Sequence, residues 1–478
     1  MALGIALFVV WLTGCAVGPN YQQPKVSTPA LWNAQMAGGE TNSAVDLAQW
    51  WKNFNDTNLD SLMAIAIQSN LTLRIAEAHV RESRAQKGIV SANLWPWLSG
   101  SGSYSKNRYS ANTFPPLPGV PLQYNLYDAN FDATWELDVF GGTRRAVQAA
   151  SAQIGAAEYD ETNVLISVMA EVARDYISAR AYQQRLIIAQ ENIQIEQNVL
   201  NLTSNRYETG LGNKLNVAQA RAQLESTEAL VPSLQTGFDE SVYQLSVLLG
   251  QPPEALVGQM TAIKDIPLTP PLVPVGLPSD LLQRRPDVQK AERELAAATA
   301  QIGVAKADLF PKFSLTGLAG FQSISADSWF EYASRYWNAG PTVQWQIFQA
   351  GSIVANIRVQ NAKQEEALNQ YQQTVLVAFE DVENALTSYA REQVRRESLR
   401  QTVEANQEAF DLSSQLYKSG LTDFLNVLYS QTALRASQDD LVQSDQSVSE
   451  DLVQLYKALG GGWQSEKELS LQQDGKKL

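Results

Sequence analysis

The chain has 478 residues, too many for one ordinary hydrophobic core, so its length predicts about three domains. The 36 lysine and arginine residues against 50 aspartate and glutamate residues give a net charge of −14. This balance argues against nucleic acid as a partner, because such proteins need clustered cations. One cysteine and one histidine exclude an internal disulfide and a metal cluster of several His and Cys ligands. The sequence has no phosphate-binding loop, GxSxG or HExxH motif, so no enzymatic activity, metal or cofactor is expected.

The N-terminus has the pattern of a lipoprotein signal peptide. Residues 2–11 are apolar but too few to span roughly 30 Å of hydrocarbon as a helix, and Leu12-Thr13-Gly14-Cys15 follows directly. This tetrapeptide resembles the bacterial lipobox, in which the cysteine carries S-diacylglycerol and N-palmitoyl groups. We therefore assign 1–14 to the signal peptide and Cys15 to lipidation. Ala16, rather than Asp, follows the cysteine, and by resemblance to the lipoprotein sorting rule this favours delivery to the outer membrane. The alternative is an inert buried cysteine. No basic residue precedes the apolar run, which leaves open a start codon further upstream.

The remaining sequence is predicted to contain two copies of the same order of helices and strands. Residues 206–217 (RYETGLGNKLNV) match 416–427 (LYKSGLTDFLNV), with identical residues at six positions. Gly88 with Pro96 similarly matches Gly303 with Pro311. Each copy is expected to contain a medium helix, two strands, a very long helix, a glycine turn and a second long helix. A tandem duplication is the simplest explanation of this pattern.

The predicted boundaries follow this plan. They are a lipidated N-terminal and collar segment over 15–70, a first repeat over 71–249, a proline-rich collar linker over 250–278, a second repeat over 279–459 and a tail over 460–478. In the first repeat, strands are expected at about 96–110 and 126–140, and helices at about 143–209 and 214–249. In the second repeat, strands are expected at about 311–323 and 336–348, and helices at about 351–419 and 423–459.

The two very long helices are predicted from the scarcity of helix breakers. Residues 144–209 contain no proline and only Gly155, and residues 352–419 contain neither proline nor glycine. Apolar side chains in both segments recur at alternating steps of four and three residues, as in Leu165, Met169, Val172 and Tyr176. A repeat of this period is typical of coiled coils, so these faces are expected to pack against neighbouring helices.

The strand segments alternate apolar and polar residues. Phe131 and Trp135 alternate with Asp132 and Glu136, a pattern that also fits a soluble sandwich with one wet face. The length of the runs, roughly 10 residues, and the flanking Trp and Tyr residues favour transmembrane strands. Four strands cannot close a barrel, and open edges are not tolerated in lipid. Three copies would give twelve strands and leave room for a pore, whereas two copies would give a filled barrel.

Several motifs taken together resemble one known family. They are the lipobox, QWWKNFND (49–56), WELDVFGG (135–142), RRPDV (284–288), the paired GLxxxLNV turns and ALGGGW (458–463). The chain is similar to the TolC-like outer-membrane factors, in the lipoprotein (NodT/OprM-like) branch that serves resistance-nodulation-division efflux systems. The resemblance implies a mainly α fold, in which a trimeric α-helical barrel continues into a shared 12-stranded transmembrane β-barrel. It implies a Gram-negative outer-membrane exit duct that reaches into the periplasm and conducts drugs or other small toxic solutes. The implied partners are a periplasmic adaptor (membrane fusion) protein and an inner-membrane resistance-nodulation-division transporter.

The resemblance also implies where such a channel closes. The turns Gly210-Leu211 and Gly420-Leu421 would form the periplasmic tip and contact the adaptor. In the family, a hydrophobic ring and an acidic ring narrow the pore on the helix after the second turn. Leu425 matches the hydrophobic position, Tyr429 falls at the acidic position, and Asp423 is the nearest acid. Tyr429 could therefore either line the pore or pack between helices.

Two other functions remain open at this stage. One is the outer-membrane component of a type I secretion system, and the other is a lipidated periplasmic coiled-coil scaffold without a pore. The sequence does not reveal the cargo. Five methionines and one histidine give no support for a copper path, which would need soft ligands.

Overall fold

The computed structural model describes residues 16–34, 40–41, 47–110, 112, 121–267 and 273–463. Cys15, the proposed lipidation site, and most of the proline-rich loop at 114–121 lie outside the described residues. The chain divides into two units. The first unit comprises Met1–Lys25, His79–Glu158 and Lys290–Gln372, and the second comprises Val26–Ala78, Tyr159–Gln289 and Gln373–Leu478.

The described elements are mainly helical. The helices are α1 (Thr57–Ser69), α2 (Leu71–Ala92), α3 (Gly142–Glu208), α4 (Lys214–Glu228), α5 (Leu230–Leu248), α6 (Val257–Met260), α7 (Pro278–Arg284), α8 (Pro286–Ala307), α9 (Ser352–Lys418) and α10 (Phe424–Ala458). Short 3-10 helices lie at Trp50–Phe54, Pro253–Leu256 and Tyr332–Ser334. The strands are β1 (Glu40–Thr41), β2 (Trp97–Arg108), β3 (Gln123–Leu137), β4 (Val273–Pro274), β5 (Lys312–Ser323) and β6 (Arg335–Gln344).

In the first unit, four strands form one antiparallel sheet in the order β2-β3-β5-β6. Trp135 lies opposite Leu315, and Leu137 opposite Phe313, which in turn faces Val343. Cross-strand partners share a face, so the apolar residues predicted to lie together do so. The polar residues of the same strands lie on the opposite face, as in the pairs Thr134–Thr316 and Ser314–Thr342.

Two of the predicted strands have wrong ends. The strand expected at 336–348 ends at Gln344, because the chain then turns: the Trp345 indole donates to the Leu309 carbonyl at 3.1 Å, and the Ile347 N–H donates to the Trp345 carbonyl at 3.1 Å. The strand expected at 126–140 extends from Gln123 to Leu137 and leaves Val139 in a turn. At the end of β6, the tertiary contact of Trp345 therefore overrides alternation.

The predicted very long helices are confirmed, since α3 and α9 each contain 67 residues. Gly155 is accommodated within α3 by the close approach of α8. A Cβ atom at position 155 would lie 3.2 Å from Cδ of Arg293. The glycine therefore permits tight helix packing and does not end the helix.

The single helix predicted at 214–249 is instead two helices, α4 and α5, that meet at Ala229. Pro232 lies near the start of α5 and has no backbone N–H. It cannot donate to the carbonyl four residues earlier, that of Glu228, so the hydrogen-bond ladder is interrupted there. Proline is tolerated in a first helical turn, where a new helix begins.

The second unit has an aromatic core built from segments far apart in the sequence. Trp50, from the QWWKNFND motif, stacks on Tyr456 of α10 with ring centroids 5.2 Å apart. Asp56 caps α1 through the N–H of Asn58 and also accepts a hydrogen bond of 2.6 Å from Tyr176. Burial, followed by the bond to Asp56, raises the pKa of Tyr176 to about 12.

None of the described helices has a stretch that is long and apolar enough to cross a membrane.

Candidate functional site

The two glycine turns predicted to form the tip have the same geometry. Gly210 and Gly420 both have φ of 76°, a conformation that other residues rarely adopt. Each turn closes with the two hydrogen bonds of a Schellman motif. These bonds are Gly210 N–H to Tyr207 O (3.0 Å), Leu211 N–H to Arg206 O (2.8 Å), Gly420 N–H to Tyr417 O (3.1 Å) and Leu421 N–H to Leu416 O (2.9 Å). The turns therefore reverse the chain in the same way and leave Leu211 and Leu421 exposed.

The helix after the second turn has one buried face and one exposed face. Phe424 and Val427 are buried in an apolar cluster with side chains of α4 and α9, here called the tip core, which also contains Ala220, Phe410, Tyr417 and Leu434. Leu425 and Tyr429, four residues apart on another face, are 45% and 66% exposed. Tyr429 therefore does not pack inside its own chain, and both side chains are free to face a pore or a second copy.

The first repeat places its matching residue similarly. Leu215, which aligns with Leu425, is 63% exposed. The helix caps differ, because the Asn213 side chain accepts a hydrogen bond of 2.9 Å from the Asn216 N–H, whereas Asp423 makes no side-chain cap bond. The carboxylate of Asp423 is therefore exposed without a local backbone donor.

A residue that the sequence interpretation missed joins the two turns. Arg206, in the last turn of α3, donates to the carbonyl of Tyr417 at 3.0 Å and to that of Lys418 at 3.4 Å. Its guanidinium also lies 4.8 Å from the centroid of the Tyr417 ring. The acceptors are the last carbonyls of α9, where the helix dipole is negative. The one available signal was that Arg206 aligns with Leu416 in otherwise similar turns.

The polar face of the sheet also carries a side-chain network that the sequence did not reveal. Asp128 of β3 accepts hydrogen bonds from Gln322 of β5 at 2.9 Å and from Tyr336 of β6 at 2.8 Å. Gln322 and Tyr336 both donate to Oδ2 of Asp128, and the side-chain amide of Asn130, on the same face, donates to Oδ1. The network links three strands on one face, so a polar lining is held in a fixed arrangement.

The segment directly after Cys15 is fixed to the first unit. The Val17 N–H donates to the Phe140 carbonyl at 3.0 Å, and Arg145 donates to the carbonyls of Val17 and Gly18 at 3.0 and 3.2 Å. Gly18 has φ of 95° and packs so closely on Gly303 that a Cβ atom would lie 2.5 Å from its Cα. Residues 16–18 are therefore held beside the start of α3.

The comparisons with known proteins identify the family. A model of the outer membrane efflux protein family matches residues 62–251 and again 277–461. The chain belongs to the outer membrane efflux protein family. The two matched ranges cover most of the strands, the long helices and both glycine turns described above. Among the described residues, no group of three or more His, Cys, Asp or Glu side chains is arranged to hold a metal ion.

Relatives match along nearly the whole chain. The pyoverdine export outer membrane protein OpmQ of Pseudomonas aeruginosa is 34% identical, over 96% of this chain and 96% of its own length. The probable efflux pump outer membrane protein TtgC of Pseudomonas putida is 32% identical, over 97% of this chain and 95% of its own. The solved structure of the outer-membrane channel OprN aligns with a TM-score of 0.87 at 34% identity and covers 94% of this chain and 100% of that one.

These matches establish the general function. The chain is an outer-membrane efflux channel, and the family's fold combines a helical barrel with a β-barrel. Channels of this family are trimeric and work with periplasmic adaptors and inner-membrane transporters. Its members are efflux channels and not enzymes.

Proposed function

We propose that three copies of this chain form the exit duct, with β2 of one copy paired to β6 of the next. Within the described sheet, β2 and β6 each have a neighbour on one side only. Unpaired strand edges are very costly in lipid, so pairing between copies stabilises the sheet there. Four strands per copy give a closed barrel of twelve, wide enough for a pore. The apolar face then contacts lipid, and the polar face with Asp128 lines the channel.

In this assembly the chain conducts solutes passively and catalyses no reaction. The cargo consists of drugs or other small toxic solutes, delivered by an inner-membrane resistance-nodulation-division transporter through a periplasmic adaptor. The relatives' names support this proposal, because they include an efflux pump component and an exporter of pyoverdine. The exposed turns at Gly210-Leu211 and Gly420-Leu421 are the surfaces offered to the adaptor. The observation that carries the proposal is the sheet with one apolar and one polar face.

The resting closure lies on α10, just after the second turn. Leu425 and Tyr429 extend from one exposed face of α10, and three copies converging near the axis would form a dry constriction. Asp423 beside them supplies a ring of three negative charges that attracts cations. Tyr429 provides bulk and a hydroxyl where relatives are expected to carry an acid. Closure therefore depends on packing more than on charge.

Cys15 carries the covalent lipid, which anchors the mature N-terminus to the membrane. The contacts of Arg145 and Gly303 support this proposal, because they fix residues 16–18 beside the sheet-to-helix junction. The test is labelling with radioactive palmitate in cells, comparing the wild type with Cys15→Ser behind a signal peptide that needs no lipidation. The wild type should incorporate palmitate and the variant none. Absence of label from the wild type would refute lipidation.

The transport role is tested in a strain that lacks its own outer-membrane efflux channel but retains a transporter and adaptor. Introducing the wild-type chain together with its neighbouring pump genes should lower the accumulation of a fluorescent efflux substrate. A matched chain with Ala133→Arg, which disrupts the lipid-facing side of the sheet, serves as the inactive control. If neither the purified wild-type chain nor its Leu425→Ser variant, which removes the proposed closure, produces conductance in planar bilayers, the chain does not act as a duct.

A further inference from the structure

The apolar face of the four-stranded sheet is not smooth. It carries a groove of about 890 Å³, which we call the outer groove, and this volume is within the range of small-molecule sites, roughly 300–1,000 Å³. The floor consists of small residues, namely Gly100, Ala129 and Ala319. The walls are aromatic and largely exposed, with Trp337 79% and Phe330 67% accessible.

The loop between β5 and β6 builds one wall of this groove. Trp329 packs on Tyr127 with ring centroids 5.4 Å apart, and its indole donates to the Phe321 carbonyl at 3.2 Å. Phe330 lies 5.7 Å from the Phe321 ring. The Ser334 hydroxyl closes the loop by donating to the Ser328 carbonyl at 2.6 Å. These contacts fold the loop back onto the apolar face and hold the wall in place.

The outer groove has one cation at its rim. Nε of Arg335 donates to the Tyr332 carbonyl at 3.2 Å, and the guanidinium lies over the Tyr332 ring. Within the described part of the chain, Arg335 forms no ion pair with a carboxylate. Its remaining N–H groups are therefore available to an anion. A guanidinium held against a loop loses little freedom when it binds a phosphate.

The strand register orders these features along the membrane normal. Arg335 pairs with Phe321, while Trp337, two residues further along β6, pairs with Ala319. Helices adjoin the strand ends at Trp97, Leu137 and Lys312, whereas loops join the opposite ends. Since channels of this family reach into the periplasm, the loop ends lie at the outer surface. The cation therefore lies towards the surface, and the aromatic walls extend from it towards the bilayer centre.

We propose that the outer groove is a binding site for one phosphorylated, multiply acylated glycolipid of the outer leaflet, the lipid A class. A phosphate pairs with Arg335 at the surface, and an acyl chain lies over Ala319 between Phe330 and Trp337. The small floor residues admit the chain, and the aromatic walls provide apolar contact. The site faces lipid and is separate from the polar face that carries the cargo.

The test is native mass spectrometry of the full-length trimer titrated with bis-phosphorylated, hexa-acylated lipid A. The wild type should bind up to three molecules per trimer. Ala319→Phe, which fills the floor, and Arg335→Gln, which removes the cation, should each weaken binding at least about tenfold. Lipid A stripped of both phosphates should bind to the wild type as weakly as intact lipid A binds to Arg335→Gln.

Two matched control variants distinguish specific binding in the outer groove from general contact with lipid. Ala339→Phe adds the same ring on the same face, one rung outside the groove, and should leave binding unchanged. Arg108→Gln removes another exposed cation at the outer end of β2 and should also have no effect. All variants must migrate as intact trimers. Equal losses for Arg335→Gln and Arg108→Gln, or equal affinity for phosphatidylglycerol, would overturn the proposal.

Discussion

At the scale of single residues, Arg206 is the clearest case in which one side chain hydrogen-bonds from the first turn to the second. Its donors satisfy the carbonyls of Tyr417 and Lys418, and its guanidinium covers the buried Tyr417 ring. Hydrogen bonds from a charged donor contribute about 1.5–3 kcal/mol. We infer that this contact restrains movement of the second turn relative to the first.

Removing the cation while keeping the side-chain bulk tests this restraint. Arg206→Met should raise the basal single-channel conductance in planar bilayers and lower the free energy of unfolding by about 2 kcal/mol. Arg206→Lys keeps the charge and should show a smaller effect. The control is Arg221→Met on α4, an exposed arginine away from the turn, which should leave conductance unchanged. Unchanged conductance in Arg206→Met would show that the bridge does not restrain the tip.

A second prediction at this scale concerns pH. Burial, followed by repulsion from Glu171 and Glu450, raises the pKa of Asp175 from 3.8 to about 6. The folded state therefore disfavours the carboxylate form relative to the unfolded state. This penalty is absent below pH 4, grows between pH 4 and 6, and is complete above pH 6.

Asp175→Asn removes this penalty. It should increase the free energy of unfolding at pH 7.5 by about 1 kcal/mol, after allowance for the partial exposure of the side chain. At pH 4 the variant and the wild type should unfold alike. Thermal unfolding of the purified trimer followed by circular dichroism at both pH values measures the difference. Asp440→Asn, an exposed carboxylate on α10, is the matched control and should change neither value. A gain of equal size at both pH values would contradict the titration of Asp175.

At the scale of elements, the two faces of the sheet should respond oppositely to charge. Ala133 and Thr134 are neighbours near the middle of the part of β3 that pairs with β5, and they lie on the apolar and the polar face respectively. Ala133→Arg should cost roughly 2–4 kcal/mol in the bilayer and prevent stable trimers. Thr134→Arg should assemble normally and alter ion selectivity. Trimer formation on gels and reversal potentials in salt gradients report the two effects. Equal tolerance at both positions would contradict the assignment of the faces.

Some features of these helices and strands could be predicted from the sequence and others could not. Periodicity and the lack of breakers were sufficient for the long helices, because nothing interrupts α3 or α9. The strand faces were equally readable, since alternation depends on the residues themselves. The break at Ala229 was missed although Pro232 signalled it. The early end of β6 could not be predicted, because it depends on the contact of Trp345 with a residue 36 positions away.

The candidate site was predictable only in part. Matching turns located Gly210 and Gly420, because the left-handed backbone there requires glycine. Arg206, Asp128 and Arg145 were missed, since each acts through partners far away in sequence. Such contacts leave no local pattern of spacing or alternation.

At the scale of the whole molecule, the proposed assembly is a trimeric duct that opens to the outside and rests closed on α10. The two repeats present similar exposed leucines, Leu215 and Leu425, so exposure alone does not select the closure. We propose that Leu425 lies near the trimer axis and that Leu215, on α4 of the first repeat, lies farther from it. The two leucines therefore form a matched pair for one decisive comparison.

The comparison measures the basal single-channel conductance of full-length trimers in planar bilayers, for the wild type, Leu425→Ser and Leu215→Ser. Leu425→Ser should replace a dry constriction with a wettable one and raise the conductance several-fold above the wild type. Leu215→Ser makes the same chemical change at the matching position and should raise it far less. A Leu215→Ser channel that opens as widely as Leu425→Ser, or no change of conductance in either variant, would contradict closure at Leu425.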